Sequence, residues 1–355
     1  MKVEFFKHNL GKQEIKDVAK VLNTVFLTTG SDVKKFETNF SRYIDLKHTV
    51  GLTSCTAALH LALLAHNIGP GDEVVTSPLT FIATATAIMH TGAKPVFVDV
   101  EEETGNLNAA LIEKALTKKT KAILPVHLYG HMCDMQAISK IARKHKLIVI
   151  EDAAHALETK RDELRPGQAS HGACFSFYAT KNITSGEGGA FATNNKKTAE
   201  RVTKLRSHGM STNAADRYTK KYQHWDMDIL GWKYNMDNIH AALLHNQLKN
   251  VEKNLKQREK ICQCYEKAFS PLKDIRLLQV RKNTKSARHM FTILVPPKRR
   301  DEILWGLQKK GVGVAVNYRA IHLLKYFKNT LGHKRNSFPI AENIGESTIT
   351  LPLYP

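Results

Sequence analysis

The sequence predicts an α/β protein, with a large domain around a mostly parallel sheet flanked by helices and a smaller α/β domain at the C-terminal end. Two observations predict it. From His48 to Ile150 short apolar, strand-like runs alternate with segments of helical character, the pattern of crossover units whose strands are covered on both faces. Past Ala190 the chain turns helical and more charged, and His240–Phe269 reads as one long helix or two in succession.

Each element follows from its local pattern. A polar helix is expected around Lys12–Asn23, a short strand at His48–Leu52, and a helix at Ala57–Ala65 closed by Asn67-Ile68-Gly69-Pro70-Gly71. Next come strand Glu73–Thr76, helix Thr80–His90, strand Pro95–Val100, helix Ala109–Leu116, strand Ala122–Val126, helix Met135–His145 and the fully apolar strand Leu147–Ile150. Phe175–Tyr178 is strand-like, and strands at Met290–Val295 and Val312–Val316 are expected to flank a helix at Asp301–Lys310. The domains are drawn at residues 1–245 and 246–355.

Composition narrows the class. With 355 residues, 42% hydrophobic and 24% charged, the chain has ordinary globular usage and a real core to bury. Its apolar stretches are interrupted well short of the ~20 residues a membrane span requires. Met1–Leu10 carries Lys2, Glu4 and Lys7 and no apolar centre, so no signal peptide is read and a cytoplasmic location is expected. The five cysteines, at 55, 133, 174, 262 and 264, lack scaffold spacing, and Cys262 and Cys264 are one residue too close for CxxC chemistry; free thiols and no structural metal follow. Lys and Arg number 53 against 33 Asp and Glu, a net charge of +20. These basic residues are dispersed in short clusters such as Lys118-Lys119, Lys220-Lys221 and Lys298-Arg299-Arg300, with no basic-aromatic motif. That favours a solvated basic surface, suited also to phosphate-bearing substrates, over nucleic-acid binding.

The chemistry is carried by a conjunction. The apolar run Leu147–Ile150 delivers Asp152 at its carboxyl end, where ligands bind in open α/β sheets, although Asp152 taken alone could equally cap a helix. Phe175–Tyr178 leads to Lys181 in a largely uncharged neighbourhood, followed by Gly186-Glu187-Gly188-Gly189; a surface lysine in a turn is the plain alternative. A lysine able to form a Schiff base and an aspartate able to keep a pyridinium nitrogen protonated are what pyridoxal phosphate (PLP) asks of a protein. Gly51–Thr56 lies between a strand and a helix start, where hydroxyls and free N–H groups suit a phosphate, or where Thr53 or Ser54 simply caps. Phe81, at the end of another strand, could offer a ring to the cofactor face or fill the core.

These residues resemble the DegT/StrS-type nucleotide-sugar aminotransferases, fold type I PLP enzymes, along nearly the whole chain. The matching stretches are Phe26–Gly30, Thr53–His60, Gly69–Thr80, Pro95–Val100, Pro125-Val126-His127, Ile150–Ala156, Phe175–Gly189, Gly231–Asn235 and Leu351-Pro352-Leu353. Within the family the likeness is greatest to the UDP-4-amino-4-deoxy-L-arabinose aminotransferases. The resemblance implies that Lys181 carries PLP through a Schiff base and that Asp152 partners its ring nitrogen. It places Phe81 as the stacking aromatic, His155 beside the ring, and Cys55, Thr56 and Ser176 at the phosphate. Asn235 is similar to the asparagine that reaches the phosphate of a neighbouring subunit, which implies a homodimer with shared sites. Thr29, His322 and Tyr326 fall in stretches that the family sets on the nucleotide-sugar side. A final helix follows Leu-Pro-Leu in the family, whereas this sequence stops at Pro355, so the small domain is expected without it.

The implied activity is transfer of an amino group from L-glutamate to a keto nucleotide-diphosphate sugar, most closely C4 of a UDP-4-keto sugar, in bacterial cell-surface polysaccharide or lipopolysaccharide synthesis. Lysine would be the general base, for which its pKa must fall below the solution value of about 10.4. Two rivals share the fold. A PLP/PMP-dependent sugar dehydratase has histidine where Lys181 stands, and an inactive regulatory relative would not be expected to keep Lys181, Asp152 and Ser176 together.

Overall fold

The computed structural model describes residues 2–211 and 224–355, so Lys220-Lys221 and Gln223 lie outside the described residues. Helices α1 (Lys12–Leu22) and α2 (Ser31–Ile44) precede the first strand. The large sheet is built from β1 (His48–Leu52), β2 (Glu73–Thr76), β3 (Lys94–Phe97), β4 (Thr120–Leu124), β5 (Ile148–Asp152) and, after a two-residue β6 (Lys160–Arg161), β7 (Gly172–Ser176) and β8 (Gly189–Thr193). Its order is β1-β8-β7-β5-β4-β2-β3. The five strands from β3 to β7 run parallel, and β8 lies antiparallel to both β7 and β1. The mostly parallel α/β sheet read from the sequence is thus present.

Both faces are covered for the reason the strands predict: residues such as Val74, Ile123, Ile150 and Phe191 are buried and point alternately to either side. On one face α3 (Cys55–Ala65), α4 (Ile82–His90) and α7 (Lys196–Leu205) close a core containing Leu59, Leu63, Ile88 and Val202. On the other, α2 brings Val33, Phe36 and Phe40 against Phe175 and Phe177. A third cluster joins α5 (Ala109–Ala115) and α6 (Met135–His145) to β4 and β5 through Ile112, Ile138 and Val149.

Helix α8 (Asn238–Phe269) is capped by Asp237, whose side chain accepts the His240 N–H at 2.9 Å, and it contains neither Gly nor Pro over 32 residues. It runs unbroken through the division drawn at 245/246. Its first half packs Ala241, Leu244 and Leu248 on the large domain, and its second half packs Cys262, Tyr265 and Phe269 on the small one.

The small domain holds β9 (Arg276–Leu277), β10 (Thr284–Lys285, paired with β6), β11 (Phe291–Leu294), α9 (Arg300–Lys309), α10 (Lys325–Leu331), α11 (Pro339–Ser347) and β12 (Thr348–Leu351). Its antiparallel sheet is ordered β12-β11-β9. The strand expected at Val312–Val316 does not form; that segment makes single bridges, Val312 to Val3 and Ala315 to Thr350. Its backbone bonds are divided between two partners, the Gly313 N–H going to the Val3 carbonyl at 2.8 Å and the Ala315 N–H to the Thr350 carbonyl at 3.2 Å. β11 is paired instead by β12, buried at all four positions, on one side and by β9 on the other. Among the described residues no helix is long and apolar enough to cross a membrane.

Candidate active site

Strand alternation separates the two carboxylates at the end of β5. Glu151 turns to the far side, fully buried, paired with His127 Nε2 at 2.6 Å and accepting the Gly167 N–H at 2.8 Å. Asp152 turns into a cleft of about 530 Å³ at the carboxyl ends of β5 and β7. There its Oδ2 accepts from Thr84 Oγ1 at 2.8 Å and its Oδ1 from the Ala154 N–H at 3.1 Å, with Cys55 Sγ at 3.9 Å. Burial pushes its carboxyl above the ordinary value, against the pull of those hydrogen bonds and of the Lys181 and His127 charges. Among the described residues no salt bridge neutralises it.

Lys181 enters the same cleft from the tight turn that follows β7, its N–H bonded to the Tyr178 carbonyl at 2.9 Å. The side chain is half-buried, and crowding by protein lowers its amine to about 8, with Cys55 and Asp152 pulling the other way. Ser176, at the end of β7, and Cys55 and Thr56, in the first turn of α3, line the wall. The Ser54 side chain caps α3 by accepting the Ala57 N–H at 3.0 Å, which leaves the N–H groups of Cys55 and Thr56 without intrahelical partners. His155 is buried at the base of the cleft, its Nε2 3.2 Å from the Tyr318 hydroxyl. Phe81, 54% exposed at the start of α4, stands 5.8 Å from the Tyr318 ring.

Of the eleven singled-out residues, seven meet here and four do not. Lys181, Asp152, His155, Ser176, Cys55, Thr56 and Phe81 share the cleft. Asn235 lies outside it and donates to Thr29 Oγ1 at 2.8 Å, while Thr29 donates to the Met236 carbonyl at 2.6 Å. His322 is also outside, fully buried and paired with Glu342 at 3.0 Å, and Tyr326 is exposed on α10. Reading the sequence missed Thr84, one helical turn beyond Phe81, and Tyr318, four residues before His322; both line the cleft. Thr84 could have been found from its helical spacing, and Tyr318 lies in the stretch Asn317–His322 whose family resemblance pointed to the substrate side, from which His322 was chosen instead.

The set fits pyridoxal phosphate. A buried carboxylate without a cation, an amine of lowered basicity and unpartnered N–H groups at a helix start are complementary to a ring nitrogen, an aldehyde and a phosphate respectively. Close approach of β8 to that helix start demands glycine, because a Cβ on Gly189 would lie 2.2 Å from the Ser54 carbonyl carbon and 2.4 Å from the Cys55 nitrogen. Gly189→Ala is expected to cost about 1–3 kcal/mol of stability and to weaken cofactor retention, measured by denaturant unfolding and by cofactor content after dialysis.

Residues 8–355 match the DegT/DnrJ/EryC1/StrS aminotransferase family. The spore coat polysaccharide biosynthesis protein SpsC of Bacillus subtilis is 40% identical over 352 residues, covering 98% of this chain and 90% of its own. The PLP form of Spr1654 from Streptococcus pneumoniae superposes with a TM-score of 0.93 at 30% identity, covering 100% of this chain and 94% of that one. Helicobacter pylori PseC, an aminotransferase involved in the biosynthesis of pseudoaminic acid, superposes at 0.92 with 28% identity and coverage of 100% and 94%.

Proposed function

Because this chain belongs to the DegT/DnrJ/EryC1/StrS aminotransferase family and is a PLP-dependent sugar aminotransferase, we propose that it transfers an amino group from L-glutamate to C4 of a UDP-4-keto sugar for cell-surface polysaccharide or lipopolysaccharide synthesis in the cytoplasm. The observation that carries the reading is the meeting of Lys181 and Asp152 in one cleft beside the start of α3. Bound PLP supplies an electron sink for negative charge on the amino-bearing carbon.

The chain's own groups do the rest. Asp152, oriented by Thr84 and Ala154, holds the proton on the ring nitrogen. Cys55, Thr56 and Ser176 would hold the phosphate, and Phe81 and His155, which line the same cleft, would lie against the ring. The Lys181 amine takes a proton from carbon and returns it, the work of a general base. Since only the neutral amine can accept, the rate of the sugar half-reaction is expected to rise as pH climbs through about 8; a flat profile from about pH 6.5 to 9 would contradict that role.

Asn235 and Thr29 are paired outside their own cleft, which supports a homodimer in which Asn235 reaches the phosphate and Thr29 the substrate of the neighbouring subunit. Burial of His322 against Glu342 removes it as a substrate ligand within its own cleft, and Tyr326 is left without a role. The basic surface, net +20, suits a diphosphate handle. If it steers substrate, KM should rise steeply between low and moderate salt. The decisive assay offers the purified protein L-glutamate with a panel of 4-keto and 3-keto nucleotide sugars. Ping-pong kinetics with fastest turnover on a UDP-4-keto sugar are expected, and preference for a 3-keto sugar would overturn the regiochemistry.

A further inference from the structure

Two threonines at the approach to α4 form a clasp that the reading above does not use as a unit. Thr80 and Thr84, four residues apart, are both buried, at 2% and 0% exposure, and their hydroxyl oxygens lie 2.7 Å from each other. Thr84 Oγ1 is also 2.8 Å from Asp152 Oδ2. A hydroxyl has a single proton, and an ionised carboxylate can only accept. The Thr84 proton therefore goes to Asp152, and the proton between the two threonines has to come from Thr80. The order is Thr80 to Thr84 to Asp152, each bond polarising the next.

The clasp spans a helix start that has no side-chain cap of its own. Phe81 occupies the cap position of α4 and offers no side-chain oxygen; Thr80 precedes it, and Thr84 is the third residue of the helix, its N–H bonded to the Phe81 carbonyl at 3.3 Å. Phe81 is thus held between the two hydroxyls that end on Asp152, and both Phe81 and Asp152 line the cleft. The other carboxylate oxygen, Oδ1, is fixed from the main chain by the Ala154 N–H at 3.1 Å. The titratable groups facing Asp152 are Lys181 after β7, His127 after β4, Cys55 on α3, Cys174 on β7 and Tyr318 before α10. Among the described residues only Cys55 of these reaches the carboxylate, in a long S–H contact of 3.9 Å. Thr84 is the one short side-chain donor to it.

We infer that Thr80 and Thr84 are positioning residues for Asp152: their clasp fixes the plane of its carboxylate and ties that setting to the backbone that carries Phe81. One element then sets both the group proposed for the ring nitrogen and the group proposed for the ring face. This rests on the role proposed for Asp152.

The test reads Asp152 itself as well as turnover. In the cofactor-free full-length chain the Asp152 carboxyl is followed by carbon NMR and identified by its loss in Asp152→Asn. Thr84→Val, which removes the hydroxyl at nearly constant shape, should raise its titration midpoint by about one unit or more, because a donor to the charged form is lost. In the PLP-loaded enzyme the same change should lower kcat about tenfold, with KM for either substrate little changed. Thr84→Ser, which restores the hydroxyl, should recover most of both. Thr80→Val should move the midpoint in the same direction by a smaller amount, and should add nothing once Thr84 is replaced by valine. Should Thr84→Val fail to fold, Thr80→Val, which leaves every bond to the carboxylate in place, carries the titration test alone. An unmoved midpoint in either variant, an unchanged kcat in Thr84→Val, no recovery in Thr84→Ser, or equal effects of Thr80→Val with and without the Thr84 hydroxyl would overturn the inference. Those outcomes leave the Asp152 role standing, because that role fails only if PLP-loaded Asp152→Asn keeps near-normal rates.

Discussion

Replacement of Lys181 by alanine is expected to lower transamination by about 10³-fold or more, combining loss of a positioned base, itself about 10²–10⁴-fold, with loss of covalent attachment. After borohydride treatment and dialysis the variant should keep no covalently bound cofactor, whereas the parent keeps its reduced cofactor with near-ultraviolet absorbance; turnover or covalently retained cofactor in the variant would contradict the assignment. The same substitution carries an opposite effect on stability. Lys181 has its amine lowered from 10.5 to about 8 in the fold, so the folded state resists protonation more than the unfolded chain does. Below about 8 that penalty is fully present, and it fades as pH rises toward 10.5. Cofactor-free Lys181→Met protein should therefore be more stable than the cofactor-free parent at pH 7, by about 1–2 kcal/mol once solvent access to the half-buried side chain is discounted. The gain should vanish above about pH 10.5.

Asp152→Asn is expected to leave the cofactor bound, since Lys181 and the phosphate site remain, while slowing the chemistry by about 10²–10⁴-fold. An amide cannot hold the ring nitrogen protonated, and the neutral ring is a poor acceptor of the electron pair. The sign of the carboxyl's own shift matters. Burial raises its pKa in the cofactor-free fold, so ionisation there costs stability, and that stability is lost as pH rises from the unfolded value through the folded one. A cation against Asp152 relieves the cost. Cofactor-free Asp152→Asn should thus be no less stable than the cofactor-free parent at neutral pH, and near-normal single-turnover rates in the PLP-loaded variant would show that the electron-sink role is misplaced.

What could be read from the chain, and what could not, divides by distance. Asp152 and Lys181 each follow directly on a strand whose apolar run is visible in sequence, and parallel neighbours deliver their carboxyl ends to one edge. Local pattern placed both near the sheet edge, while their roles came from their conjunction and from the family resemblance. Val312–Val316 has strand-like residues but makes only single bridges, one to Val3 and one to Thr350, contacts with opposite ends of the chain. The antiparallel turn of β8 was likewise hidden, because the Gly-rich stretch before it reads as a loop. His322 illustrates the same limit: its partner Glu342 sits on a different helix, and nothing near His322 in sequence announces it.

The uninterrupted helix from Asn238 to Phe269 bears on how the molecule can be dissected. At 1.5 Å per residue it is a rod roughly 48 Å long, anchored in both hydrophobic interiors and riveted midway by Arg258 to Glu158. Severing it at 245 would strip one fragment of its main support and leave the other with a frayed, half-naked stalk. Neither piece should survive alone as a foldable unit. Any breathing of the cleft must then be sought in the connecting segments after Phe269, since the rod itself offers no joint.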